Sequence, residues 1–332
     1  MRVSLAAASF PWNHHEMKTS AVSRYAFTIC LAALTLASCG GAGVAPMAEP
    51  RSAHDSVPKA ATAQSTIYVA NLGGDNVTAY SLDGKPTLTI TADVNGPFGV
   101  TVDKNGKIYV ANTFPHTAGN VTTYTPGGEQ TTPTITDGIA FPVDVLVDKH
   151  GKIYVSNLNN YSGTGYVGTY KADGTRTTPT ITTGIAGPVG LATDASGKIY
   201  VANVYNSTVT TYEPDGTQTT PTISTGLDSP RGIAVDANGK IYVANFLGGP
   251  HNTGSITTFK ADGTQTTPTI TRGVEYAQGV TVDTSGKIYV TNFQGPGNKG
   301  GFGSVTTYAA DGKRTTPTIT KGIAAPALLT FH

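Results

Sequence analysis

The strongest constraint on this chain is a phrase it repeats. Ile-Tyr-Val-x-Asn occurs six times, with its tyrosine at Tyr68, Tyr109, Tyr154, Tyr200, Tyr242 and Tyr289. The spacings are 41, 45, 46, 42 and 47 residues, a period at which each repeat is one supersecondary unit that must stack on its neighbours. Within the unit 198–239, four β-rich runs are separated by turn residues. Strand b is Ile199–Asn203. Strand c is Val209–Tyr212, ended by Pro214-Asp215-Gly216. Strand d, Thr219–Ile223, contains Pro221, which cannot donate a ladder hydrogen bond, so it belongs on an outer edge. Strand a, Gly232–Asp236, is small and apolar, as an innermost strand near a crowded axis must be.

The ends of the array predict closure. It opens on strands b, c and d (Thr66–Ile90) and finishes on a lone strand a, Ala327–Phe331. That last strand is expected to complete the first blade. The sequence therefore predicts an all-β fold over 64–332, a six-bladed β-propeller of four-stranded blades with no unpaired internal edge. The 40 Gly and 20 Pro follow from the many turns such a ring needs. A net charge of +1, from 22 basic and 21 acidic residues, supplies no basic face for nucleic acid.

The N-terminal region reads as an address. Lys18 and Arg24 precede an apolar run from Ala26 to Leu36, followed by small residues, the pattern of a secretory signal peptide over 1–38. Residues 1–16 fit no such pattern, so Met17 is the better start. Leu36-Ala37-Ser38-Cys39 resembles the lipobox of bacterial lipoproteins. The resemblance implies cleavage before Cys39 and a diacylglycerol on its sulfur, hence a protein held at the membrane. Gly40, rather than Asp, after the cysteine implies export to the outer membrane. Residues 39–63 are small, proline-bearing and aperiodic, a flexible tether. Loss of 1–38 removes Arg2, Lys18, Arg24 and Glu16 and leaves a charge of −1, with Cys30 discarded and Cys39 lipidated.

The repeat itself resembles the NHL-repeat family and, more loosely, the gluconolactonase/regucalcin and streptogramin-lyase propellers. The residues that carry this are Pro-x-Gly-[Ile/Leu/Val]-x-x-Asp followed by Gly-Lys-Ile-Tyr-Val-Ala-Asn, seen in 188–203 and 230–245. The NHL Asp after strand b and the Asn-x-Arg-Ile phrase are replaced by Asn and by Val-Thr-Thr-Tyr, so the RNA-binding and ubiquitin-ligase roles of some NHL proteins do not carry over. The gluconolactonase resemblance implies a divalent metal held at the channel mouth by a Glu, two Asn and an Asp. Asp144 stands where the Asp would be and strand-end Asn residues approximate the amides. No Glu occupies an equivalent innermost position, Glu275 being only nearby. The His and Glu of the streptogramin lyases have no match here.

Two kinds of polar residue fall at the face where b–c loops and d–a connections meet. Asn71, Asn112, Asn157, Asn203, Asn245 and Asn292 recur in every unit and read as structural. Asp103, Asp148, Asp194, Asp236 and Asp283 read likewise as turn formers. Function must come from what differs. The b–c loops run 6, 9, 10, 6, 11 and 13 residues, which gives a rim with pseudo-two-fold walls. His116 and His251 occupy matching long loops of blades 2 and 5. At the start of strand a the residues are Phe98, Val143, Val189, Arg231, Gln278 and Ala327, and the glycine that follows becomes Asp144 in blade 2 and Leu328 in blade 6. Asp144, Arg231 and Gln278, with Tyr276 beside them, are the expected polar cluster of the mouth.

These features support a cell-envelope lipoprotein whose propeller is a non-catalytic binding or scaffold module, without a cofactor, for a glycan, peptide or protein partner. Aromatic residues on polar loops (Phe114, Tyr161, Tyr205, Phe246, Phe293 and Phe302) supply contact surface. The alternative is a metal-dependent lactonase-like hydrolase or lyase with one Ca2+ or Zn2+ near Asp144, where a metal would polarise a carbonyl or activate water. A third reading is an assembly component of an envelope complex.

Overall fold

Each Ile-Tyr-Val-x-Asn phrase forms the second strand of a four-stranded antiparallel sheet, and six such sheets make the ring. The computed structural model describes residues 65–114, 119–159, 164–294 and 303–332. The leader, the lipidated cysteine and the tether expected over 1–63 lie outside the described residues, as do His116, Tyr161 and Phe302.

Blade 1 contains β1 (Thr66–Asn71), β2 (Asn76–Ser81), β3 (Pro86–Ile90) and, as its inner strand, β24 (Pro326–Phe331). Blade 2 is β4 (Pro97–Val102), β5 (Ile108–Asn112), β6 (Asn120–Tyr124) and β7 (Gln130–Ile135). Blade 3 is β8 (Pro142–Val147), β9 (Ile153–Asn157), β10 (Tyr166–Tyr170) and β11 (Arg176–Ile181). Blade 4 is β12 (Pro188–Thr193), β13 (Ile199–Asn203), β14 (Thr208–Tyr212) and β15 (Gln218–Ile223). Blade 5 is β16 (Pro230–Val235), β17 (Ile241–Asn245), β18 (Ser255–Phe259) and β19 (Gln265–Ile270). Blade 6 is β20 (Ala277–Val282), β21 (Ile288–Asn292), β22 (Ser304–Tyr308) and β23 (Arg314–Ile319). The first strands of successive blades touch one another around the axis, and the proline-bearing strands lie outermost.

Closure is as the sequence predicts. β24 pairs with β1 through Ile67–Phe331, Tyr68–Thr330 and Val69–Leu329, and Thr66 and His332 exchange both backbone hydrogen bonds. The same pairing corrects one assignment. β8 pairs with β9, so Asp144 belongs to blade 3 rather than blade 2. Leu328, on β24, belongs to blade 1 rather than blade 6. The inner strand joins the unit that follows it in sequence.

The core is six seams. The apolar cluster of each seam draws its residues from two adjacent blades: Val77 and Ile90 meet Ile108 and Val110 between blades 1 and 2, and Ile256 and Ile270 meet Ile288 and Val290 between blades 5 and 6. Complete burial of such a side chain contributes about 1.5–3 kcal/mol, so each seam is a local hydrophobic core.

The Val-Thr-Thr-Tyr run of strand c ties these layers together. Its second Thr donates its hydroxyl to the carbonyl of the strand d proline: Thr123 to Pro133, Thr211 to Pro221, Thr258 to Pro268 and Thr307 to Pro317. The proline interrupts the ladder and the hydroxyl replaces a lost rung. In blade 1 Leu88 takes the place of proline, the strands pair directly through Ala79–Leu88, and Ala79 replaces the Thr. The Tyr donates to the connection arriving from the preceding blade, always two residues past that blade's last Ile. Tyr80 reaches Lys321 O, Tyr124 Ala92 O, Tyr170 Asp137 O, Tyr212 Thr183 O and Tyr308 Arg272 O.

Candidate functional site

The six strand b asparagines are structural staples. Each is at most 1% exposed. Each Oδ1 accepts a backbone N–H from the connection that enters its blade: Asn95 to Asn112, Ala140 to Asn157, Ala186 to Asn203, Asp228 to Asn245, Glu275 to Asn292 and Ala324 to Asn71. Their Nδ2 groups donate to strand c hydroxyls such as Thr122, Thr210, Thr257 and Thr306. In blade 3 Gly168 replaces that Thr, and Asn157 turns to Val155 O instead. The five repeated Asp residues accept two amides of the turn they start, as Asp103 does from Asn105 and Lys107. The strand b tyrosines of blades 2 to 6 rest against those carboxylates, and burial with the nearby negative charge pushes the Tyr109 phenol up to about 12.

The loop face gathers the residues that break the repeat. Arg231 Nη1 donates to Gln278 Oε1 at 2.7 Å, and its guanidinium lies 3.6 Å from the centre of the Phe246 ring. Phe246 meets Tyr276 at 5.2 Å between centroids. Arg231 and Gln278 are buried, while Phe246 and Tyr276 are half-exposed. Tyr276 sits at φ 54, and every residue directly before an inner strand shares this left-handed backbone: Gly96, Phe141, Gly187, Ser229, Tyr276 and Ala325. A bulky side chain is costly there. In blades 2 and 4 the position is glycine, and Phe114 or Tyr205 from the b–c loop lies where its side chain would be. Four blades thus place an aromatic ring at one equivalent point of the rim, and they do it in two ways.

On the opposite side of the mouth, Phe98, Val143 and Val189 pack with Phe141, Leu158 and Val204 in an apolar cluster. The mouth is therefore polar and cationic over blades 5 and 6 and apolar over blades 2 to 4. His251 is exposed on the Pro250–Asn252 turn and belongs to neither half.

Asp144 is separate from Arg231 and Gln278, one residue further along its strand. Its level is that of Gly99, Gly190, Gly232 and Gly279, where neighbouring inner strands nearly touch. A Cβ on Gly190 would lie 2.2 Å from Arg231 O, and one on Gly99 would lie 2.6 Å from Asp144 Oδ1. The carboxyl accepts Val145 N–H on Oδ1 and Leu191 N–H of blade 4 on Oδ2, each at 2.9 Å. Ser156 reinforces this bridge, accepting Asp144 N–H and donating to Val189 O. Burial pushes the acid up to about 8, against the pull of the Leu191 and Val145 amides. Beyond this neck lies a cavity of about 320 Å3, lined by Asp144, Thr101, Thr193, Thr281 and Thr330, toward the a–b turns. Ser156 and the Leu191 amide were not singled out from sequence; the signal was Ser in place of Ala or Thr in Ile-Tyr-Val-x-Asn beside the unit's odd Asp.

The divalent metal implied by the gluconolactonase resemblance does not fit these residues. The asparagine amides are engaged with backbone and strand c groups, Asp144 is turned between two amides, and the facing positions are Phe98, Val143 and Val189. Among the described residues, no three His, Cys, Asp or Glu side chains gather as an ion site.

Comparison with known proteins agrees with the ring and with the middle of the sequence. Residues 140–270 match the family described as SMP-30/Gluconolactonase/LRE-like region. No curated protein sequence matches the chain. Among solved structures, a chain of the nidogen/laminin complex is 19% identical with a TM-score of 0.62, covering 80% of this chain and 98% of that one. A protein of unknown function from Bacteroides caccae is 13% identical with a TM-score of 0.64, covering 81% and 98%. Virginiamycin B lyase from Staphylococcus aureus is 13% identical with a TM-score of 0.57, covering 79% and 84%. At such identities the likeness is one of fold. The chain is a six-bladed β-propeller that carries, across its third to fifth blades, the sequence signature of the SMP-30/gluconolactonase/LRE-like region.

Proposed function

We propose that this protein is a binding or scaffold module of the bacterial cell envelope, anchored through lipidated Cys39, that holds its partner on the loop face of the propeller. The observation that carries this reading is the Arg231–Gln278–Phe246–Tyr276 cluster, which breaks the repeat where the loops converge. Arginine and aromatic side chains on a partly desolvated surface are the residues that dominate binding energy in protein interfaces. With an apolar half alongside, the face suits a peptide or a loop of another envelope protein. The test is photo-crosslinking in intact envelopes from a benzoylphenylalanine placed at Tyr276, with Thr134 on the outer rim as control. A discrete adduct from Tyr276 that Arg231→Ala abolishes supports the reading. Equal labelling from both positions refutes it.

The alternative, a metal-dependent lactonase-like enzyme, has the family match over 140–270 in its favour and the donor set against it. Lactone hydrolysis that Ca2+ or Zn2+ restores after chelation would establish that reading instead.

A further inference from the structure

The six strand c runs carry, at one equivalent position, Tyr80, Tyr124, Tyr170, Tyr212, Phe259 and Tyr308. Blade 5 alone lacks the hydroxyl that ties strand c to the incoming connection. Its neighbours show what is lost. In blade 6, Tyr308 Oη lies between Thr306 Oγ1 and the carbonyls of Arg272 and Gly273. The blade 5 equivalents are Thr257 and the carbonyls of Thr225 and Gly226.

A cavity of about 390 Å3 opens at this place, lined by Leu227, Asp228, Leu247, Ser255, Thr257 and Gln265, with Gly226 at its edge. Ser255 and Thr257 are each 2% exposed. Both hydroxyls accept from Asn245 Nδ2, at 3.2 and 2.8 Å, and among the described residues neither donates to a protein acceptor. A buried hydroxyl donor without an acceptor is costly unless something else accepts from it. The b–c loop keeps the cavity open. Side chains are missing at Gly248 and Gly249, and a Cβ on Gly248 would crowd Ser255 Oγ at 2.9 Å.

We propose that this blade 5 cavity is a binding site for one neutral glycosyl unit. A sugar ring presents hydroxyls that both donate and accept, together with an apolar C–H face. The cavity offers donors from Ser255 and Thr257, acceptors at the Gly226 carbonyl and the Asp228 carboxylate, the Gln265 amide, and apolar surface from Leu227 and Leu247. Its volume is within the range of small-molecule sites, roughly 300–1,000 Å3. Water satisfies single polar groups, but this space exceeds the share of one water, about 30 Å3, by an order of magnitude. The site lies on the loop face of blade 5, between the connection 226–228 and the b–c loop 247–249, and it does not use the Arg231–Gln278 pair of the mouth.

The test uses Phe259→Tyr, which restores the repeat residue and its bridge to the connection. Methyl glycosides of neutral hexoses and N-acetylhexosamines are the probes, read by saturation-transfer NMR and titration calorimetry on the purified protein. At least one is expected to bind the wild type with a dissociation constant on the order of 1 mM. Phe259→Tyr is expected to weaken that binding at least about tenfold while keeping or raising the melting temperature. Thr257→Val removes one donor without filling the space and is expected to weaken the same glycoside. Absence of binding by every probe overturns the proposal. So does binding that both variants leave unchanged, which puts the sugar elsewhere. An Arg231→Ala variant keeps this outcome distinct from the mouth, since glycoside binding should survive it.

Discussion

Raising the pH should loosen this fold through Asp144. In the unfolded chain the carboxyl gives up its proton near the ordinary value of 3.8, whereas in the folded protein burial holds it until about 8. Below the lower value both states are protonated and pH has no effect through this group. Between the two values the unfolded chain is charged and solvated while the folded protein is neutral, so stability falls with rising pH. Above the upper value the loss is complete. A separation of about four units at about 1.4 kcal/mol per unit gives an upper figure of roughly 6 kcal/mol. That is a large share of the roughly 5–15 kcal/mol that holds a domain. Asn cannot titrate, but its amide nitrogen faces Val145 N–H or Leu191 N–H, so Asp144→Asn starts less stable by about 1–3 kcal/mol. Urea unfolding midpoints from about pH 4 to about pH 9 should therefore fall for the wild type relative to Asp144→Asn, and with about 1.4 kcal/mol lost per unit above 3.8 the two curves should cross on the acid side of neutrality. Parallel curves across that range would refute the reasoning.

Two further substitutions follow from the same packing. Gly190→Ala places a Cβ 2.2 Å from Arg231 O, a backbone atom that cannot step aside, whereas the nearest atom to a Cβ on Gly127 is Thr125 Oγ1 at 3.7 Å. A fall in melting temperature or loss of folding is expected for the first, and little change for Gly127→Ala; equal effects would show that the inner strands do not meet as described. Asn203→Ala strands the Ala186 amide and should cost about 1–3 kcal/mol in chemical denaturation, while an exposed polar residue such as Asn238 should tolerate alanine within about 0.5 kcal/mol.

The ring was legible because each repeat states the same local preferences, and a period near 45 residues leaves few architectures. The strand order was legible from particular residues: Pro221 marks an edge, and the small residues of 232–236 mark the axis. The mouth was less so. Asp144, Arg231 and Gln278 stand within one residue of each other in repeat register, and sequence position alone groups them. On a strand one residue separates opposite faces. Arg231 and Gln278 thus meet at the loop face, while Asp144 joins the glycine level and bridges to Leu191. The blade 5 gap is visible in sequence only as Phe259 in a column of tyrosines, and nothing in that letter says that Ser255 and Thr257 line a cavity beside the connection.

The join between β24 and β1 makes the ring a test of its own manufacture. Five blades can be completed as their residues emerge in order, but the first waits with a bare inner edge until residues 326–331 exist. A chain cut short by a nonsense codon or nicked near its end displays that edge, and with it the flank of β1, to any protease or chaperone that reads unpaired strands. The last six-residue strand thus decides whether the first blade ends in a covered or an open edge.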